Sequence, residues 1–166
     1  MIYAFDTYYY EDYANTVCIG FEDWTSDREL EIFTEQTPIT SEYESGAFYK
    51  RELPCILSLL NKIVVKQGDI IIVDGYVTLD NEGKIGLGGY LYEALQEKYP
   101  IVGIAKNEFT TPDSQRRSVL RGDSKTPLFV TAKGIDVEQV KLNVEHMHGP
   151  YRIPTLLKKL DQLSRI

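Results

Sequence analysis

The sequence predicts an α/β fold: a mixed sheet, an antiparallel three-strand meander followed by parallel strands, flanked by helices. Three observations carry this expectation. Three strand-like stretches with short links open the chain, at Ile2–Phe5, Thr16–Phe21 and Glu29–Thr34. From about Ser45 the apolar residues recur with helical period. Beyond that point, β-branched runs at Ile70–Val73 and Ile101–Ala105 alternate with helical stretches, the pattern of parallel strands covered on both faces.

Each element has its own reason. Thr16–Phe21 and Glu29–Thr34 alternate apolar with polar or small residues, and Glu22-Asp23-Trp24-Thr25-Ser26-Asp27 between them is rich in turn formers. Phe48, Leu53, Ile56, Leu57, Leu60 and Ile63 mark one apolar stripe of a helix, with Pro54 in its first turns or at a kink. Gly86–Tyr99 reads as a helix and Ile101–Ala105 as a buried strand. A Ser/Arg/Asp-rich loop at Thr110–Lys125 precedes a short strand at Pro127–Thr131. Helices follow at Val137–Met147 and, after Pro154, at Thr155–Ser164, where Leu156, Leu157, Leu160 and Leu163 share a side.

Composition narrows the class. The chain has 166 residues, 43% of them hydrophobic and 26% charged, which suits a single domain over 1–166 with a sizeable core. No apolar run approaches the ~20 residues of a membrane span, and no secretory leader is visible. Cys18 and Cys55 have neither metal nor redox spacing and read as buried thiols of a reducing compartment. A soluble cytoplasmic protein without membrane association is expected.

The net charge of −7 is unevenly spread. Residues 1–60 hold twelve acids and three bases, whereas 61–166 hold thirteen acids and fifteen bases. An acidic metal-binding centre beside a phosphate-contacting surface would give this asymmetry, and so would a solvated acidic face. The later cations include Lys84, Lys106, Arg116, Arg117, Arg121, Lys125, Arg152, Lys158 and Lys159.

Carboxylates recur where strands end. Asp6 follows Ile2–Phe5 and Asp74 follows Ile70–Val73, at the edge where such sheets form a ligand crevice. If the two strands are neighbours, the carboxylates repel and one pKa rises unless a cation lies between them. A hard cation with oxygen ligands, Mg²⁺ or Mn²⁺, relieves that repulsion and acts as a Lewis acid toward phosphate. Glu52 and Asp161, on helices, would complete the set. Taken singly, Glu52 and Asp161 also suit solvated helix faces, and Asp74 suits the start of an Asp-Gly turn.

Several motifs then succeed one another in order. Phe48-Tyr49-Lys50-Arg51-Glu52 is followed by Ile71-Ile72-Val73-Asp74-Gly75 and Gly86-Leu87-Gly88-Gly89-Tyr90-Leu91. Next come Pro100-Ile101-Val102-Gly103-Ile104-Ala105-Lys106, Thr126-Pro127-Leu128-Phe129-Val130-Thr131 and Tyr151-Arg152-Ile153-Pro154. Together they resemble the endonuclease V family over nearly the whole chain. The resemblance implies a ribonuclease H-like fold and a Mg²⁺-dependent endonuclease, with Mn²⁺ as a substitute, acting on DNA or RNA with deaminated bases, chiefly hypoxanthine. It implies Asp6, Glu52, Asp74 and Asp161 as metal-centre acids and Lys106 as the lysine that neutralises phosphoryl charge. Gly75, Gly86 and Arg152, within the shared motifs, become candidates for nucleic-acid contact. Tyr43 and Gly46 fall where the family carries a strand-prying wedge; Tyr43 would stack on a base and Gly46 would admit backbone close to it.

The chain departs from the family at definite places. Glu42 and Ser45 replace both wedge prolines, Tyr76 and Val77 stand where a His-Gly is usual, Asp80-Asn81-Glu82 replaces a His-Pro-Arg, and Ala132-Lys133 replaces a Gly-His. These changes bear on base recognition more than on metal binding. Tyr8, Tyr9, Tyr10 and Tyr13 beside Asp6 suit either base stacking or cross-strand packing. His146 and His148 match no family site and read as surface residues. A monomer is expected. Two other functions stay open from sequence: a non-catalytic nucleic-acid-binding protein on a nuclease fold, and a nuclease for RNA or structured substrates without inosine preference.

Overall fold

A computed structural model describes residues 1–39, 49–109, 111 and 115–166. Strands β1 (Ile2–Tyr9), β2 (Tyr13–Phe21) and β3 (Glu31–Pro38) form the antiparallel meander. β1 then pairs in parallel with β4 (Ile70–Asp74), and β4 with β5 (Ile101–Ala105). β7 (Leu128–Lys133) runs antiparallel to β5, and β6 (Arg117–Val119) antiparallel to β7 at the far edge. The seven strands lie in the order β3-β2-β1-β4-β5-β7-β6.

Among the described residues four helices cover the sheet: α1 (Tyr49–Leu60), α2 (Leu87–Ala94), α3 (Val137–Glu145) and α4 (Thr155–Ser164). Alternation along the strands assigns the faces. Ile2, Ala4, Ile72, Val102 and Ile104 pack with Val140 and Val144 of α3 and with Leu156 and Leu160 of α4. The residues between them, Tyr3, Phe5, Ile71, Val73 and Ile101, pack with Ile56 and Leu59 of α1 and with Leu87 and Leu91 of α2. A fully buried Ile or Leu contributes about 1.5–3 kcal/mol. That burial offsets poor local propensity. α1 runs through Pro54, which is exposed, and α2 carries Gly88 and Gly89 in its first turn. Those glycines are steric requirements: a Cβ would lie 2.6 Å from Val77 Cγ2 at Gly88 and 2.5 Å from Ile85 Cβ at Gly89.

The structure extends or trims several expected elements. β1 and β2 continue to Tyr9 and from Tyr13, pairing Tyr8 with Asn15 and Tyr9 with Ala14. α2 stops at Ala94 instead of Tyr99, because Gln96 and Glu97 take left-handed φ values of 58° and 59°. α3 ends at Glu145. β6 lies inside the expected loop; with three residues, only Val119 fully buried, it is too short to show a period. Cys18 and Cys55 are free and buried. No helix among the described residues is long and apolar enough to cross a membrane.

Arg121 holds the approach to α4. It is 4% exposed, and its guanidinium donates to the carbonyls of Met147 (2.6 Å), Tyr151 (2.7 Å) and Gly149 (2.9 Å). Replacing it with methionine would leave these acceptors unpaired. Arg121→Met is expected to cost about 3 kcal/mol in urea unfolding, as for other buried charged hydrogen-bond groups; a change below about 0.5 kcal/mol would show that the loop is held by other contacts.

Candidate active site

The parallel register builds the site. Phe5 and Val73 are the last residues at which β1 and β4 pair with each other, so Asp6 and Asp74 are next-door neighbours one residue beyond. Adjacent strands lie about 4.8 Å apart. Both acids continue the face of Ala4 and Ile72, toward α4. Lys106 continues the same face of β5, two residues past Ile104, which pairs with Asp74. Asp161 enters from α4. Asp6, Asp74, Lys106 and Asp161 line one cleft of 40 Å³, with an apolar wall of Leu128, Ile153, Leu157 and Leu160. Such a volume holds an ion or a few waters.

Glu52 arrives from the other side. It sits in the first turn of α1, on the opposite face of the sheet, and bonds Thr7. The Thr7 hydroxyl also lies 3.1 Å from that of Thr16. Glu52 therefore meets Asp6 and Asp74 around the strand ends, close enough to repel them.

Burial and crowding dominate the electrostatics. Burial, then repulsion from Asp74, pushes the Asp6 carboxyl up to about 6; a bond from Ser164 and the charge of Lys106 pull the other way, while Asp161 adds to the rise. Burial first, then Asp74 and Asp6, raises Glu52 well above the carboxylate range. Asp74 is raised by burial, with Lys106 opposing and Asp161 reinforcing. Asp74 reaches solvent at the strand end yet is walled by protein, so water screens it incompletely.

The surroundings of each strand end are pinned. After Asp74, Gly75 turns at φ 132° and a Cβ there would meet nothing within 4 Å, leaving open space beside the acids. The following chain is fixed by the Gly75 amide to Ile104 O (3.2 Å) and the Val77 amide to Thr131 Oγ1 (2.8 Å). Gly86 differs: its missing Cβ is required by Tyr76 O, 2.5 Å away, so it serves packing at the start of α2. Arg152 donates to Lys106 O, to Pro127 O at 2.9 Å and to Thr126 O at 3.0 Å. It thereby holds the backbone that carries Lys106. Tyr76 secures the next residues, donating to Asn107 O (2.9 Å) and accepting from the Phe109 amide (3.0 Å).

Other candidates have partners within the chain. Tyr10 stacks on Tyr13 at 4.8 Å and meets Tyr8 edge-on at 5.0 Å, with Arg165 over Tyr8 and Arg51 over Tyr9. Many of the later cations are engaged: Arg116 with Glu108, Arg117 with Glu138, and Lys159 with Glu29. His146 and His148 are exposed and bond Leu142 O and Thr155 Oγ1. Tyr43 and Gly46 lie outside the described residues. Sequence reasoning missed Ser164 and Asn15, whose contacts with Asp6 and with the end of α4 depend on tertiary pairing across more than 140 residues.

The donor set suits a hard cation: oxygens from four acids, no thiolate or imidazole. The acids do not close on a common point; among the described residues no three His, Cys, Asp or Glu side chains are grouped to hold an ion as they stand. What marks the cleft is an excess of negative charge, which Lys106 and the Arg165 paired with Asp161 at 3.2 Å offset only in part. The sign of its effect follows. An acid raised to about 6 adds stability that is complete below about pH 4 and lost as pH rises through about 6, and Asp74 and Glu52 act in the same direction. Without divalent ions, the melting temperature set by these groups should fall as pH rises from about 4 through about 6. Asp74→Asn should recover about 2–4 °C of it at pH 7.5 by scanning calorimetry, the shift of a 1 kcal/mol change in a chain this long. An unchanged or lower value would show that the acids do not oppose one another.

Comparison with known proteins agrees with this architecture. The chain resembles the solved structure of human ENDOV with a TM-score of 0.76 at 20% identity, over 99% of this chain and 82% of that one. It resembles Endonuclease V from Bacillus subtilis with a TM-score of 0.76 at 17% identity, over 99% and 78%. It also resembles Ciona intestinalis Endonuclease V, solved with a 24mer DNA containing an inosine followed by a ribo-adenosine, with a TM-score of 0.76 at 16% identity, over 99% and 84%. These likenesses show a ribonuclease H-like fold. Among curated proteins no sequence matches. The Endonuclease V family model matches residues 1–134, which include Asp6, Glu52, Asp74 and Lys106 and end before α3 and α4. On that match, the chain belongs to the endonuclease V family.

Proposed function

We propose that this chain is a divalent-metal-dependent endonuclease that hydrolyses phosphodiester bonds near deaminated bases, hypoxanthine first among them, in nucleic-acid repair. The observation that carries the reading is the placement of Asp6 beside Asp74 just past the last β1–β4 pair, with Lys106 and Asp161 lining the same cleft. Family membership supplies the reaction class. The Ciona relative's complex with inosine-containing DNA supports the substrate class.

Asp6 and Asp74 would hold Mg²⁺, or Mn²⁺ in its place, with Glu52 and Asp161 completing the set. Held there, such a cation would supply Lewis acidity toward a phosphoryl oxygen and a water. The chain's own residues do the rest. Glu52 and Asp161 orient the attacking water. The Lys106 ammonium balances charge that builds on the phosphoryl oxygens, and it acts in a cleft whose apolar wall strengthens that attraction. Arg152 fixes the Lys106 backbone, so the lysine starts from a defined place. Gly75 leaves room for the strand next to the acids. The products expected are a 3′-hydroxyl and a 5′-phosphate.

A nicking assay on oligonucleotides carrying deoxyinosine, uracil, an abasic site or ribo-inosine, with Mg²⁺ and with Mn²⁺, tests the reading. Cutting beside inosine is expected, abolished by EDTA and lowered more than ~100-fold by Asp6→Asn or Asp74→Asn. A wild-type chain that binds these oligonucleotides and never cuts them overturns the enzyme in favour of a binding protein. Cutting without preference for inosine keeps the nuclease and removes the base.

A further inference from the structure

We propose that Ser164 and Asn15 form a buried clip that positions Asp6 for cation binding. The inference rests on the nuclease reading above and names residues that lie in none of the family's motifs in this chain.

Ser164 is the last residue of α4 and is fully buried. Its hydroxyl lies 3.0 Å from Asp6 Oδ2 and 2.9 Å from Asp161 O. A serine in a helix commonly returns its proton to a carbonyl three or four residues back, and Asp161 O offers that route. A carboxylate is the stronger acceptor, because a charge-assisted bond is about twice as strong as a neutral one. Asp6 Oδ1 has no hydrogen-bond partner among the described residues. The contact therefore anchors one oxygen and leaves the other for a ligand.

Asn15 fixes the clip from the far side. It is 6% exposed, lies on β2 opposite Tyr8, and donates from Nδ2 to Ser164 O at 2.8 Å. That carbonyl belongs to the final turn of α4, where carbonyls lack partners within the helix. Thus β2 locates the end of α4, and the end of α4 locates Asp6. Asp161 lies three residues earlier on the same helix, so one clip also sets the spacing between two acids of the cleft. Burying a serine and an asparagine here costs desolvation that an apolar pair would avoid. Their value lies in orientation: partners that hold a metal-binding carboxylate typically matter 10–100-fold in metal affinity.

Mn²⁺ binding without nucleic acid, followed by electron paramagnetic resonance and calorimetry, tests the clip apart from catalysis. Ser164→Ala is expected to weaken Mn²⁺ about 10–100-fold while circular dichroism stays that of the wild type. The pair Ser164→Thr and Ser164→Val has one shape and differs in the hydroxyl. Threonine should keep near-native affinity and valine should lose it, and this pair decides if the alanine variant does not fold. Equal affinity across the hydroxyl-bearing and hydroxyl-free variants overturns the clip. A wild-type chain that binds no Mn²⁺ at all overturns the nuclease reading instead.

Discussion

Like charge brought together at the ends of parallel strands is the constraint on which this structure turns. β1 and β4 are interior strands, sealed on both faces by helices, and each carries an aspartate just past the point where their mutual pairing stops. The register that buries Ala4 and Ile72 on one face places Asp6 and Asp74 there together. The core and the repulsion therefore have one cause. A shift of β4 by one residue would separate the acids, and it would also turn its isoleucines to the wrong face.

Everything next to the strand ends can be understood as control of that charge. Lys106 brings the opposing charge from β5, and Arg152 secures its backbone with a guanidinium that bonds three carbonyls. Arg121 fixes the loop from which Arg152 projects. Glu52 comes around from the opposite layer with Thr7 as its partner. The result is a centre assembled from both helical layers across the rim of the sheet, which explains why no three of its acids group on a single element.

The fold was legible in the sequence where periodicity was strong. Ile70–Val73 and Ile101–Ala105 read as buried strands from their short β-branched runs, and the leucines of α4 mark its apolar side. β6 was not legible, because three residues with one buried valine carry no period. The end of α2 was overrun because nothing in Gln96-Glu97 announces left-handed backbone. At the site, Asp6 and Asp74 were legible as charges closing apolar runs. Arg152 illustrates the limit: composition counts it as a cation for phosphate, whereas its contacts with Lys106, Thr126 and Pro127 carbonyls depend on three distant segments meeting. Ser164 and Asn15 are ordinary polar residues until tertiary structure makes them neighbours.

The apolar wall of the cleft gives the arrangement its direction. Leu128, Ile153, Leu157 and Leu160 exclude water from one side of the acids, and that exclusion is the leading cause of the raised carboxyls. The same wall strengthens attraction to any cation that enters. A pair of unit charges 4 Å apart is worth about 1 kcal/mol in water and about 4 kcal/mol at the effective dielectric of a protein surface. Burial therefore disfavours the ionised acids while they face only one another and favours them once opposite charge arrives. A cleft of this kind is least comfortable when its charge is unbalanced, and a phosphate approaching alone would make it worse. The wall and the acids together thus demand that further positive charge accompany any phosphate into the cleft, because Lys106 and the Arg165 paired with Asp161 supply two units against four carboxyls.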